Sequence, residues 1–64
     1  MEQMAIDRVF GKLDALTKGT SEYQKVKDEI LSKYGQYLNG LSAEIQALDD
    51  VKGAYEAIST AAKQ

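Results

Sequence analysis

Two pairs of adjacent carboxylates have the clearest capacity for acid–base chemistry in this chain. They are Asp28-Glu29 and Asp49-Asp50. General acid and base catalysis needs two groups that converge on one reacting atom. Neighbouring residues on a helix point about 100° apart, so neither pair converges. Neither pair follows the alternating oxygen spacing of a calcium loop. We interpret both pairs as solvated faces or helix caps.

Nucleophilic, metal and phosphate chemistry lack their usual residues. The chain has no His and no Cys, which removes the commonest general base and metal ligands. The serines therefore have no base to activate them; they are Ser21, Ser32, Ser42 and Ser59. The five glycines are dispersed instead of forming a phosphate-binding loop. We predict no catalytic residue, cofactor, metal site or small-molecule substrate, and we do not expect an enzyme.

The tyrosines are the one unusual feature, and two interpretations of them stay open. They are Tyr23, Tyr34, Tyr37 and Tyr55. Their rings can seal a small core while the hydroxyls reach water or a partner at its edge. They can also form a possible interaction surface, because Tyr is enriched at the energetic centres of protein interfaces. Base stacking needs cations on the same face, and Lys27 alone does not supply them.

Length and composition restrict the class of protein. Sixty-four residues allow one domain, with a net stability of about 3 to 5 kcal/mol unless association adds to it. The net charge of −2 comes from interspersed charges, which argues against a nucleic-acid partner. No run is apolar enough to span a membrane or to act as a signal peptide. The absence of Cys fits an intracellular or viral assembly protein.

Apolar spacing, together with the absence of Pro, predicts an all-α fold. We expect a small three-helix antiparallel bundle, or a hairpin with a third helix, either as a single chain or as an oligomer. The helices span about 2–18, 21–39 and 42–63. Gly19 closes the first helix and Ser21 begins a capping box with Gln24. Ser42 is the expected N-cap of the third helix.

The middle helix should be covered by its two neighbours. Its apolar stripe shares one helical face and comprises Tyr23, Val26, Ile30, Tyr34, Tyr37 and Leu41. Lys27 lies at the edge of this stripe, where its methylenes can cover the core. Asn39-Gly40 predicts a stop, although the apolar phase also permits a helix that runs through it.

The third helix carries a heptad seam. Its first position is occupied by Leu41, Leu48, Tyr55 and Ala62, and Val51 and Ile58 occupy the second. We predict one continuous helix, with Gly53 on the solvated side. The alternative is that Asp49-Asp50 caps a new helix and breaks this one after Leu48.

Nearly the whole chain resembles a segment of the tail tape measure proteins of tailed bacteriophages and prophages. The matching residues are Leu16-Thr17-Lys18-Gly19-Thr20-Ser21-Glu22-Tyr23, Ile30 to Lys33-Tyr34-Gly35-Gln36-Tyr37-Leu38, Glu44, Leu48 and Ala54-Tyr55-Glu56-Ala57-Ile58. The resemblance implies a structural, non-catalytic fragment of a much longer, mostly helical protein that sets tail length. It also implies protein partners, through self-association or tail components. The implied location is the virion tail or, for a prophage, the bacterial cytoplasm.

The resemblance assigns no catalytic position, and Gly19 and Asn39-Gly40 predict a folded module instead of a long rod. The alternative function is a small intracellular helical binding module of the secretion-chaperone or adaptor type. Such a module would cover a partner helix with its Tyr-rich face. An enzyme and a nucleic-acid binder are less favoured.

Overall fold

The computed structural model describes residues 3–63, which form four α-helices and one 3-10 helix. The α-helices are α1 (Gln3–Asp14), α2 (Ser21–Tyr34), α3 (Ala43–Gln46) and α4 (Val51–Lys63), and the 3-10 helix is Gly35–Leu38. The described residues contain no strand, so the all-α prediction is confirmed. None of the described helices is long and apolar enough to cross a membrane.

The helix α1 packs against α2 on one side and against α4 on the other. We predicted that residues 21–39 would lie between the other two helices. These residues do contact both, α1 through α2 and α4 through the 3-10 helix, but α1 and α4 also pack directly against each other. The reason is that α1 buries a wide face, formed by Ile6, Val9, Phe10 and Leu13. The rest of the core comes from α2, the 3-10 helix, the link after α3 and α4: Tyr23, Val26, Ile30, Leu38, Leu48, Ala54 and Ile58.

The turn between α1 and α2 begins earlier than predicted, since α1 ends at Asp14 instead of near residue 18. Gly19 has φ +89°, and the amide of Thr20 donates to the carbonyl of Thr17 over 3.3 Å. The positive φ expected for Gly19 is therefore confirmed. It lets the chain reverse within one four-residue turn.

The N-cap of α2 is Thr20, and the predicted capping box at Ser21 is wrong. Thr20 is extended, with φ −84° and ψ 160°, and its hydroxyl accepts from the amide of Tyr23 over 3.2 Å. Ser21 is already helical. Gln24 donates instead to the Asp28 carboxylate over 2.9 Å.

The second helical segment stops at Asn39-Gly40, as predicted, but its last turn is not α-helical. Tyr34 leaves helical geometry with φ −123° and ψ −1°, and the 3-10 helix follows. Asn39 (φ −60°, ψ 136°) and Gly40 (φ 84°) then form a type II turn. The prediction of a continuous α-helix to residue 39 is wrong in this detail.

The change of winding corrects two predicted core positions. Three residues per turn in the 3-10 helix, after the bend at Tyr34, shift the phase of the apolar stripe. Leu38 therefore points into the core, whereas Tyr37 is 38% exposed and Leu41 is 39% exposed. The inward positions of Ile30 and, in part, Tyr34 agree with the prediction.

The third predicted helix is broken, and the prediction of one helix over 42–63 is wrong. Ser42 caps α3 as expected, since its hydroxyl accepts from the amide of Ile45 over 3.4 Å. After α3 the amide of Asp49 donates to the carbonyl of Glu44 over 2.8 Å, and that of Leu48 donates to Ile45 over 3.1 Å. These two bonds define a Schellman motif, which terminates a helix.

Leu48 occupies the left-handed position of this motif, with φ 60°, where Gly is usual. The left-handed conformation costs a non-glycine residue roughly 1–2 kcal/mol. Burying a Leu side chain gains about 1.5–3 kcal/mol. Because Leu48 is only 1% exposed, burial offsets the backbone cost at this position.

Asp50 restarts the helix after the break. Its carboxylate accepts from the amide of Gly53 over 3.0 Å and so caps α4. This confirms the alternative in which Asp49-Asp50 begins a new helix. The predicted solvated position of Gly53 is wrong, because an added Cβ would lie 2.6 Å from Asp50 Oδ2 and 3.1 Å from Ile45 Cδ1.

Candidate functional site

A groove of about 550 Å³ runs between α1 and α4. Helical spacing places one stripe of each helix along it. From α1 these residues are Asp7, Phe10, Gly11 and Asp14, and from α4 they are Val51, Lys52 and Tyr55. The first set follows the i, i+3, i+4, i+7 pattern of a single helix face. The groove is therefore a direct result of how α1 and α4 pack.

The floor of the groove is apolar and its middle is open. The rings of Phe10 and Tyr55 meet edge to face, with centroids 5.3 Å apart and planes at 75°. This geometry is favourable for aromatic pairs. A Cβ added at Gly11 would have nothing within 4 Å. Gly11 therefore leaves space that a side chain from another molecule can fill.

A hydrogen-bonded cluster joins α1 to α4 at one end of the groove. The Tyr55 hydroxyl donates to Asp7 Oδ1. The Gln3 amide donates to Asp7 Oδ1 and to the Ser59 hydroxyl, each over 2.9 Å. Ser59 is the one buried polar residue of the described chain. These bonds fix the relative position of the two groove walls.

The cluster moves two pKa values away from neutrality. Hydrogen bonds from Tyr55 and Gln3 lower the pKa of Asp7, because they stabilise its carboxylate. The bond to Asp7, followed by burial, raises the pKa of Tyr55. Both shifts keep Asp7 charged and Tyr55 neutral at neutral pH, which maintains the hydrogen bond between α1 and α4.

The rim of the groove is charged and asymmetric. Asp7 and Asp14 lie on the α1 wall and Lys52 lies on the α4 wall. Within residues 3–63 the ion pairs are Lys27 with Asp49, at 3.6 Å, and Lys33 with Glu29, at 3.4 Å. Asp14 and Lys52 take part in neither pair, so their charges are available to a partner.

A second, smaller groove of about 220 Å³ lies on the other side of α1, against α2. Its charges are mainly positive. They come from Arg8, Lys12 and Lys33, together with Glu29. The exposed ridge of α1 thus separates an anionic groove from a cationic one.

The four tyrosines are not gathered on one surface. Tyr23 is 8% exposed in the core, and the ammonium of Lys27 lies 6.0 Å from its ring centroid. Tyr34 lines the smaller groove and Tyr55 lines the larger one. Tyr37 is exposed on the 3-10 helix. Of the predicted interaction residues, only Tyr55 lies in the α1–α4 groove.

Sequence reasoning did not identify the groove. Asp7, Gly11 and Asp14 share one face of the first helix, and this spacing was the available signal. The pairing of that face with Tyr55 depends on contacts across 48 residues, which periodicity does not reveal. Among the described residues, no three His, Cys, Asp or Glu side chains are grouped closely enough to hold a metal ion.

Comparison of the chain with protein families, with curated proteins and with solved structures finds no match in any of the three.

Proposed function

We propose that the chain is a non-catalytic helical module that acts through protein–protein contacts, and that the α1–α4 groove is its contact surface. The observation that carries this proposal is the open, apolar floor formed by Phe10, Tyr55 and Val51 around Gly11. Helix-in-groove recognition uses a surface of this kind, in which apolar anchors of one helix enter a groove between two others.

The occupant that fits best is an amphipathic helix of a protein partner. Along α1 the groove extends from Asp7 to Asp14, which is about 10 Å, or two helical turns. The carboxylates of Asp7 and Asp14 favour Lys or Arg on one edge of the partner's apolar stripe. Lys52 favours an acidic residue on the other edge. Charge therefore sets the orientation of the partner, while the apolar floor supplies the area.

A pair of synthetic helical peptides tests this site. Both carry the same apolar stripe, flanked on one edge by Lys in the first peptide and by Glu in the second. In a titration of ¹⁵N-labelled protein, the Lys peptide should bind at least about tenfold more tightly, equivalent to roughly 1.4 kcal/mol. The amide signals of Gly11 and Lys52 should move most.

A charge reversal in the groove supplies the control. Asp14→Lys should remove the preference for the Lys peptide, because it reverses one rim charge. Glu56→Lys makes the same change on α4 outside the groove lining and should leave the preference intact. Equal binding of both peptides to the wild-type protein would contradict the proposal that the groove binds a cationic helix. Chemical-shift changes confined to residues away from the groove would also contradict it.

On the resemblance in the sequence, we further propose that this module is a segment of a phage or prophage tail tape measure protein. Its partners are then other copies or tail components, in the virion tail or in the bacterial cytoplasm during assembly. The test is the reading frame that contains these codons. A frame several times longer beside tail genes supports this assignment.

The alternative is a small intracellular binding module of the adaptor or secretion-chaperone type. The observation that favours it is the same groove, which can cover one partner helix without a larger assembly. A free-standing frame of 64 codons beside secretion genes would support this alternative and reject the tape measure assignment.

A further inference from the structure

The link between α3 and α4 interrupts a heptad seam that the sequence continues without a break. Leu41, Leu48, Tyr55 and Ala62 keep the seven-residue spacing through the link at residues 47–50, which contains Leu48. The interruption depends on Leu48, the one non-glycine residue of the described chain with positive φ. The spacing of the apolar residues thus fits a continuous helix, whereas the folded chain breaks at Leu48.

We propose that residues 42–63 also form a single continuous helix, in a dimer in which two copies exchange α4. Short hinge segments under strain favour this kind of exchange. In this dimer, α1 of each copy packs against α4 of the other copy. The exchange depends on the link and not on what binds in the groove.

The exchange keeps the contacts that hold the fold together. In the closed chain α4 packs mainly against α1 and the 3-10 helix, with fewer contacts to α3. In the dimer these contacts form between copies, including the Phe10–Tyr55 ring pair and the bond from Tyr55 to Asp7. Leu48 leaves the left-handed region and becomes helical, so the backbone strain at each link is released.

Local interactions at the link favour the closed monomer and oppose the exchanged dimer. Lys27 of α2 pairs with Asp49 at 3.6 Å, and Asp50 caps α4. Leu48 is buried at the link, and its side chain must find new cover in the continuous helix. Ile45 and Leu48 lie on one face of that helix, where the two copies can cover each other near the hinge.

A matched pair of glycine substitutions tests the equilibrium between the closed monomer and the exchanged dimer. A Cβ at Gly53 would lie 2.6 Å from Asp50 Oδ2, so Gly53→Ala displaces the carboxylate from its capping position in the closed chain only. Losing this cap should lower the population of the closed form relative to the helical form about fivefold per chain. Because a dimer contains two links, its association constant should rise about 25-fold.

Gly35→Ala is the control, since it makes the same change in the 3-10 helix, outside the link and the groove lining, where the added methyl meets only Leu31, at 4.0 Å. It should leave the association constant unchanged. Leu48→Gly should lower this constant, because Gly tolerates the left-handed link and weakens a continuous helix. Sedimentation velocity over a wide concentration range measures all four proteins. Identical association of wild type, Gly53→Ala and Leu48→Gly would overturn the proposal.

A cross-link distinguishes exchange from side-by-side association. The chain has no Cys, so Asp14→Cys and Lys52→Cys place a unique thiol pair on the two walls of the α1–α4 groove. A short bismaleimide should join the pair within one chain in dilute protein and between two chains in the dimer. A dimer fraction that yields only internally linked monomers on a denaturing gel would also overturn the proposal.

Discussion

Replacing Leu48 with Gly and, separately, with Ala tests the left-handed conformation that separates α3 from α4. Both substitutions delete the same buried side chain, which is 1% exposed in the folded chain. They differ in their response to φ 60°. Gly adopts this φ without steric cost, whereas Ala does not. The comparison therefore isolates the backbone conformation from the loss of packing.

The expected magnitudes follow from burial and backbone strain. Leu48→Ala should lower the free energy of unfolding by about 2–5 kcal/mol, as for other buried Leu truncations. Leu48→Gly should be more stable than Leu48→Ala by about 1 kcal/mol, because the left-handed cost disappears. In a regular helix the order reverses, with Ala about 1 kcal/mol more stable than Gly. The stability difference between Leu48→Gly and Leu48→Ala therefore changes by roughly 2 kcal/mol between a left-handed and a helical residue 48.

Urea unfolding, followed by circular dichroism in dilute protein, measures the difference. Both variants should unfold in one transition with similar dependence on denaturant. If Leu48→Ala proves more stable than Leu48→Gly, residue 48 is helical in the monomer and the break is misplaced. If Leu48→Ala is unfolded, a cooperative unfolding transition of Leu48→Gly still shows that the Gly variant is the more stable of the two.

Three further predictions concern helix stability and pH. Gly11→Ala should stabilise the protein by about 0.5–1 kcal/mol in thermal unfolding, because Ala favours a helix and the methyl has open space; a lower melting temperature would show that the site is crowded. Thr20→Ala should cost about 1 kcal/mol and Ser21→Ala much less, since Thr20 is the observed cap; the opposite order in the same assay would restore Ser21 as the cap. The lowered pKa of Asp7 contributes stability that is present above its ordinary pKa of 3.8 and lost as pH falls through the folded value. The raised pKa of Tyr55 contributes stability that is present below 10.0 and lost as pH rises through the folded value. The stability difference between wild type and Asp7→Asn should thus be largest between about pH 4 and 10 and shrink at both ends; a difference independent of pH would contradict the assigned bond.

The sequence was sufficient for features that depend on local backbone chemistry. Gly19 and Gly40 have the expected positive φ, and Ser42 caps α3. These positions are predictable because few residues tolerate a left-handed turn or cap a helix well. The all-α class followed in the same way from apolar spacing and the absence of Pro.

Features that depend on tertiary packing were not predictable in this way. Leu48 has no preference for the left-handed region, and its conformation follows from burial of its side chain. The phase of the apolar stripe after Tyr34 changes because a 3-10 turn replaces an α-helical one, which moves Leu38 inward and Tyr37 outward. The heptad seam predicted a continuous helix because it records spacing and carries no information on a competing core contact.

The same limit applies to the candidate site. One of the two interpretations made the tyrosines a single interaction surface, but they occupy different parts of the fold, and only Tyr55 lines the larger groove. Gly11 is visible in the sequence as a weak helix residue. Its place in an open groove depends on how α4 packs against α1, which the sequence pattern does not specify.

Nuclear Overhauser spectra of the dilute wild-type protein test most directly how α1 and α4 meet and where the chain breaks. We expect cross-peaks between the ring protons of Phe10 and Tyr55, whose ring centroids lie 5.3 Å apart, and an interruption of helical contacts at residues 47–50. An unbroken series of helical contacts from residue 42 to residue 63, without cross-peaks between these two rings, would contradict this expectation.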